Sequence, residues 1–280
     1  MEKDAPATSS IRVIDEIGER MKGYEKESQK LINHNLPMMA RIDGHKFSKW
    51  TRGFEKPFES RVHLAMCETT KDLVNNFHAI TGYTQSDEIT LVFPLNSVGE
   101  DGNLISNYIF GGKVVKICSI LASYATVRFN FHMLMIFENE TDLGLLQKIK
   151  KMTAHFDARV FNLPNTNEIL NNILWRSSFD CVRNSVSNLA HCHFPQKEIL
   201  KIGTQSLKKK LLEKGIDWEK MPDSFKYGSF IKKRLVEKTA INEQTKEEVK
   251  VLRGETIIIN KFISSFTQEN LEWILAKYAS

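Results

Sequence analysis

The run Leu36-Pro-Met-Met-Ala-Arg-Ile-Asp43, followed by Gly44, decides the fold. Its apolar and small residues have the length of one buried strand. Asp-Gly is a turn signal placed where a strand should stop, so an acidic group is left at a strand tip. Downstream, Ser60 to Ile80 sets Val62, Leu64, Ala65, Met66, Leu73, Val74 and Phe77 at helical spacing with charges between them, which predicts a helix returning the chain across a sheet. Ala79 to Tyr83, the polar Gln85-Ser-Asp-Glu88 and the β-branched Ile89-Thr-Leu-Val-Phe93 read as a hairpin with Asp87 and Glu88 at its tip. A loop holding Gly99, Asp101 and Gly102 leads to a second buried helix over Lys113 to Phe129 and a strand over Ala158 to Leu163. The order β, α, β-turn-β, α, β predicts an α+β fold of the ferredoxin-like split βαβ type.

Beyond Pro164 the pattern turns helical over Asn167 to Trp175 and Phe179 to His191, followed by a basic, partly helical segment from Lys201 to Lys220. Phe225 to Val236 and Glu248 to Ile259 read as two strands joined by a polar loop, and Gln268 to Tyr278 as a closing amphipathic helix. The expected organisation is a first part over 1–135, its completion over 136–165, and a helical and hairpin C-terminal region over 166–280 packed on it.

With 280 residues, 41% hydrophobic and 26% charged, the composition excludes a disordered chain, collagen and a coiled coil. Lys plus Arg number 39 against 34 Asp plus Glu, and the net charge of +5 permits a polyanionic partner without demanding one. Cys67, Cys118, Cys181 and Cys192 make no CxxC pair, so neither a disulfide framework nor structural zinc is expected, and a reducing compartment fits. The N-terminus is acidic from its second residue and lacks an apolar signal region, which sets a cytoplasmic expectation. No stretch approaches 18 uncharged apolar residues, so no membrane span is expected.

In a split βαβ sheet the first strand neighbours the central hairpin, which allows Asp43 to meet Asp87 and Glu88. Two carboxylates at adjoining strand ends suit Mg²⁺, which keeps some water and takes phosphate oxygens from a nucleotide. Gly44 permits close backbone approach. Asp-Gly and Ser-Asp-Glu are equally common as plain turn residues, so spacing alone leaves both readings open.

The stretch Arg41-Ile-Asp-Gly-His-Lys-Phe-Ser48, with Gly82-Tyr-Thr-Gln-Ser-Asp-Glu-Ile-Thr90, resembles the two metal-binding motifs of the tRNA-histidine guanylyltransferase family. The resemblance continues through Phe110–Ile117, Phe156–Val160, Trp175–Ser185 and Lys226–Lys233, covering most of the chain from Pro37 to Lys233. It implies a palm domain of polymerase type and 3′-to-5′ addition of nucleotides to the 5′ end of RNA. It further implies that Asp43 and Asp87 hold two Mg²⁺ ions with the Gly44 carbonyl, that Ser86 and Glu88 support the site, and that Asp43, Asp87 and Glu88 form the catalytic set. Arg41, His45, Lys46, Phe47, Lys56, Ser86, Lys113 and Lys116 are the implied contacts to ATP, GTP or another nucleoside triphosphate. Lys209, Arg183 and Asn184 are those to the incoming nucleotide or RNA end. A homotetramer acting on tRNA or a similar structured RNA is implied as well.

Two departures bear on the substrate. Val182-Arg-Asn-Ser-Val-Ser-Asn188 stands where guanylyltransferases proper carry a His-Ile-Asn-Asn-Leu-Tyr-Asn stretch, and the Arg-Asn-Ser form resembles the family's "like" proteins, which repair 5′-truncated tRNA by templated addition. Ser48 replaces a histidine common in the first motif. The expected activity is therefore templated 5′-end repair. The alternatives are guanosine addition to tRNA-histidine, a palm-type nucleotide cyclase, and a non-catalytic ferredoxin-like RNA-binding module. His191-Cys192-His193 is read as packing or surface, since adjacent residues of a helix point in different directions. Lys208 to Lys210, with Lys232, Lys233 and Arg234, are candidates for RNA phosphates.

Overall fold

The computed structural model describes residues 7–97, 99, 106–241, 243, 244 and 246–279; the expected loop residues Asp101 and Gly102 lie outside the described residues. The chain runs through α1 (Ala7–Glu27), β1 (Met38–Gly44), the short α2 (Phe47–Trp50), α3 (Ser60–Asn76), β2 (Thr81–Gln85), β3 (Glu88–Val92), α4 (Val114–Ile136), α5 (Leu143–Lys150) and β4 (Phe156–Asn162). It continues through α6 (Asn167–Leu174), a π-helical stretch over Trp175–Asp180, α7 (Cys181–His193), α8 (Gln196–Ile199), α9 (Thr204–Glu213), α10 (Asp223–Tyr227), β5 (Ser229–Ile241), β6 (Glu248–Ile259) and α11 (Gln268–Leu275).

One antiparallel sheet has the order β4-β1-β3-β2-β5-β6, and its first four strands are the split βαβ palm expected from the sequence. The apolar run of β1 is continuous because both faces of the sheet are covered. Met38, Ala40 and Ile42 enter the core beneath α3 and α4, while Met39 points into the opposite core with Ile169, Leu170 and Ile173 of α6. A third cluster joins α7 to α9 through Val186, Leu189, Leu207, Leu211 and Trp218.

Some elements differ from the sequence reading. α1 and α5 fall in stretches that had suggested no element, and α4 runs on to Ile136 because Phe129, Met133 and Phe137 continue its buried stripe. The two helices expected after Pro164 are continuous through the π-helical stretch. β5 begins at Ser229, not Phe225: Asp223–Tyr227 is helical and Gly228 turns the chain with φ 75°, where a Cβ would lie 2.6 Å from the Thr84 carbonyl oxygen. β5 and β6 then extend the palm sheet itself. Among the described residues α4 is long and apolar enough to cross a membrane by length and composition alone, yet it is the second crossover helix of the palm, packed on α3 and β4. Arg128 and His132 on that helix pair with Asp72 of α3.

Lys232 corrects another expectation. It faces no RNA, being fully buried where β5 passes beneath α11. Its Nζ donates to Thr81 Oγ1 at 2.9 Å and to the carbonyl oxygens of Trp273 and Ala276 at 2.7 and 2.5 Å, so an ammonium caps the C-terminus of α11. Burial pulls its pKa down to about 7. Lys232→Met fills similar space but leaves those carbonyls without a donor. A loss of about 3 kcal/mol is expected, read as a lowered thermal midpoint. An unchanged midpoint would show that the cap contributes nothing.

Candidate active site

β1 and β3 pair in a register that sets Asp43 opposite Glu88, and the Gly44 N–H donates to the Asp87 carbonyl at 3.1 Å. The β2–β3 turn is thereby clamped to the end of β1, with Asp43, Asp87 and Glu88 on adjoining strand ends. Gly44 is required there: a Cβ would sit 2.6 Å from Cδ2 of the Phe47 ring and 2.9 Å from the Asp87 Cβ. Ser86 takes the left-handed conformation that the tight turn needs, with φ 53°, and its hydroxyl donates to Asp87 Oδ1 at 3.0 Å.

Burial pushes the Asp87 carboxyl up to about 6, helped by the negative charge of Asp43 and opposed by the Ser86 hydroxyl. Glu88 is also raised by burial, opposed by Arg176 and Arg41. Arg41 Nη2 donates to Asp43 Oδ2 at 3.0 Å and to Glu88 Oε1, while its buried Nε has no partner among the described residues. Arg176 Nη1 donates to Glu88 Oε2 at 3.2 Å and to Asp180 Oδ2 at 3.1 Å, and Arg183 closes on Asp180 Oδ1. Alternating charges therefore run from the end of β1 into α7. The site is a concentrated negative charge held open by flanking arginines, which suits a cation and the phosphates it attracts.

A cleft of about 1100 Å³ opens beside this turn. Gly44, Lys46, Ser86, Asp87 and Lys56 lie on its palm side; Asn188, His191, Cys192 and His193 of α7 form the opposite wall. His191, Cys192 and His193 are thus surface residues, as expected, and no group of three His, Cys, Asp or Glu with metal-ligand geometry occurs among the described residues. His45 is exposed, its ring 5.0 Å from that of His155, and Phe47 is buried against Trp50, Phe129 and Phe156.

The fold does not bring Lys113 and Lys116 to this cleft within one chain. They begin α4 beside Lys30, Leu31 and His34, ahead of β1 and so at the opposite end of the sheet. Arg183 is 66% exposed and, with Asn184, borders a smaller recess against α8 and α9. Lys209 is exposed on α9, where its neighbours Lys208 and Lys210 pair with Glu219 and Glu198.

Arg176 and Asp180 were absent from the expected site. The available signal was their i, i+4 spacing inside the apolar, serine-rich stretch Trp175–Asp180, where a charged pair needs a reason. Arg176 is only 11% exposed. Arg176→Met leaves Glu88 and Asp180 with one cation each, and a stability loss of about 2 kcal/mol is expected in chemical denaturation. Wild-type stability in that variant would show the bridge to be incidental.

The sequence profile of the tRNA-His guanylyltransferase (Thg1) family matches residues 18–164. The chain is 40% identical over 233 residues to an uncharacterized protein of Acanthamoeba polyphaga mimivirus, covering 80% of each. It is 24% identical over 255 residues to tRNA(His) guanylyltransferase 1 of Arabidopsis thaliana, spanning 86% of this chain but only 41% of that protein. A bacterial tRNA(His) guanylyltransferase (Thg1)-like protein in complex with ATP superposes with a TM-score of 0.73 at 28% identity, covering 93% of this chain and 99% of the other. The tRNA(His) guanylyltransferase of Saccharomyces cerevisiae shares the fold, with a TM-score of 0.61 at 21% identity over 82% and 96% of the two chains. Since the profile takes in more than half of its length, the chain belongs to the tRNA-His guanylyltransferase (Thg1) family of nucleotidyltransferases.

Proposed function

We propose that the chain adds nucleotides to the 5′ end of truncated tRNA, or of a similar structured RNA, in the 3′-to-5′ direction and under the direction of a template. The observation that carries this reading is the meeting of Asp43 and Asp87 across the clamped β1–β3 end, beside a cleft large enough for a nucleotide. Bacterial Thg1-like relatives of known structure hold ATP and GTP, which supports the same substrates here. Templated repair is favoured over guanosine addition to tRNA-histidine by the Arg183-Asn184-Ser185 form of α7, which departs from the guanylyltransferase pattern; Arg183 and Asn184 border the smaller recess beside α8 and α9.

Asp43 and Asp87, with the Gly44 carbonyl, would hold Mg²⁺; an all-oxygen donor set with room for water and phosphate fits that ion. When bound, it neutralises phosphate charge and orients the reacting oxygens. The residues of the chain do the rest. Glu88, held by Arg41 and Arg176, keeps the strand end in register. Ser86 orients Asp87. Lys46 and Lys56, on the cleft wall, offer point charges to phosphate oxygens. In the first step an oxygen of the RNA 5′-monophosphate attacks the α-phosphorus of ATP or GTP, and pyrophosphate leaves. In the second, the 3′-hydroxyl of the incoming triphosphate attacks the RNA 5′ phosphorus, and the activating nucleoside monophosphate leaves.

The test is incubation with a tRNA lacking its first nucleotide, ATP, labelled triphosphates and Mg²⁺, beside an intact tRNA-histidine. Label should enter the 5′ end of the truncated RNA according to the opposite strand. It should fall at least about 100-fold in Asp43→Ala and Asp87→Ala, and in Gly44→Ala, while far-UV spectra stay native. Full rate in both aspartate variants would remove the metal site, and guanosine added only to tRNA-histidine would reverse the substrate assignment.

A further inference from the structure

Charge does not balance along the edge of the cleft formed by the loop between α2 and α3. Arg52 and Lys56 stand exposed on that loop, and Lys148 of α5 reaches it from the side. Lys148 Nζ donates to the Arg52 carbonyl oxygen at 2.5 Å and lies 5.5 Å from the centre of the Phe54 ring. Phe54 and Lys56 both line the cleft. α5 is pinned in this place by its own sequence: Asp142 accepts from the Gly144 and Leu145 N–H groups at its start, and Leu145 and Ile149 enter the core. Packing, not a partner of opposite charge, therefore sets the position of Lys148.

Among the described residues none of Arg52, Lys56 and Lys148 forms an ion pair with a carboxylate. The acids nearby are spent: Glu59 and Glu140 both pair with Arg61, and Asp142 caps α5. Glu55, exposed on the same loop, pairs with none of the three. Partial burial, with the charges of Lys56 and Arg52 beside it, pulls the Lys148 ammonium below its ordinary pKa. Like charges held together by packing suit a multiply charged anion. A phosphodiester of an RNA strand carries a single charge, whereas a terminal phosphate carries about 1.5 to 2 at neutral pH. Three cations around one point match the terminal group. Lys56 also belongs to the cleft that holds Gly44 and Asp87, so the anion is continuous with whatever lies at the acidic turn.

We propose that Arg52, Lys56 and Lys148 hold the terminal phosphate of a nucleoside triphosphate whose α-phosphate lies beside Asp43 and Asp87. The site rests on the reading that triphosphates occupy this cleft, and it adds Arg52 and Lys148 to the residues that hold them. The outer two phosphates leave as pyrophosphate in the activation step. Held by the cluster, that end is turned away from the acidic turn, and the α-phosphorus is left beside it.

Equilibrium titration of the full chain with ATP, with AMP and with a 5′-phosphorylated RNA, each alone in Mg²⁺, tests it. The wild type should bind ATP more tightly than AMP. Lys148→Met keeps an aliphatic stem against Phe54 and should raise the dissociation constant for ATP at least about tenfold, with that for AMP unchanged, since AMP has no phosphate to place there. Arg52→Met should act in the same direction, and Lys148→Arg should keep ATP binding close to wild type. Lys148→Glu, which gives Arg52 and Lys56 a partner, should weaken ATP binding further while the thermal midpoint holds, a result that damage to the fold would not give. Wild-type ATP affinity in Lys148→Met and Lys148→Glu overturns the site alone. A loss that falls on the 5′-phosphorylated RNA and spares ATP assigns the cluster to the RNA end and overturns it as well. A wild type that binds no ATP removes the site together with the nucleotide reading on which it rests.

Discussion

Everything in the site depends on the clamp between the Gly44 N–H and the Asp87 carbonyl, made possible because residue 44 has no Cβ. It carries the β1–β3 pairing one step past Asp43 and Glu88, so that the turn lies flat against the end of β1 and the carboxylates of Asp43 and Asp87 cannot move apart to relieve their repulsion. The backbone prevents that relief. Burial and the neighbouring charge leave Asp87 raised to about 6, a state held by strand pairing on both sides of β1, with β3 and with β4. Part of the stability of the palm is in this way set against local electrostatic strain, the arrangement expected where a cation is to be received.

The arginines make that strain tolerable and also tie two layers together. Arg41 rises from β1, and Arg176 descends from the π-helical stretch; Glu88 lies between them. Asp180 continues the alternation to Arg183 on α7, whose C-terminal end forms the far wall of the cleft. A π-turn widens the helix by one residue, and here it coincides with the stretch from which Arg176 reaches Glu88 across the site. The distance between the palm and α7, and hence the width of the cleft, is set by ion pairs that are themselves largely buried. Such pairs specify geometry more than they add stability.

The parts of this architecture legible in the sequence are those governed by local periodicity. β1 and the hairpin could be read because a short apolar run, turn residues and β-branching act within a few residues, and the split βαβ order followed from their succession. The acidic pair could be placed because neighbouring strands in that order have neighbouring ends. Charged side chains could not be assigned in the same way. Lys232 stands beside Lys233 and Arg234 in a basic run, yet the strand's alternation turns it inward beneath α11, where carbonyl oxygens replace water. Arg176 has one partner within reach of local spacing, Asp180, but the other, Glu88, lies 88 residues earlier and only the fold brings it near. Lys113 and Lys116 match a phosphate-binding pattern, but spacing carries no information about which end of a sheet a helix begins at.

α4 spans the palm from the end that holds His34 to the end that holds Phe54, so whatever it presents at its start is remote from the acidic turn. A helix satisfied by its own fold would alternate buried apolar and exposed polar faces. α4 instead keeps valine and phenylalanine in solvent and confines its charges to the ends and to the Asp72 contact. The opposite face holds the helix in place: Ile117, Leu121, Ala125, Phe129 and Met133 are buried in the core against α3 and the sheet.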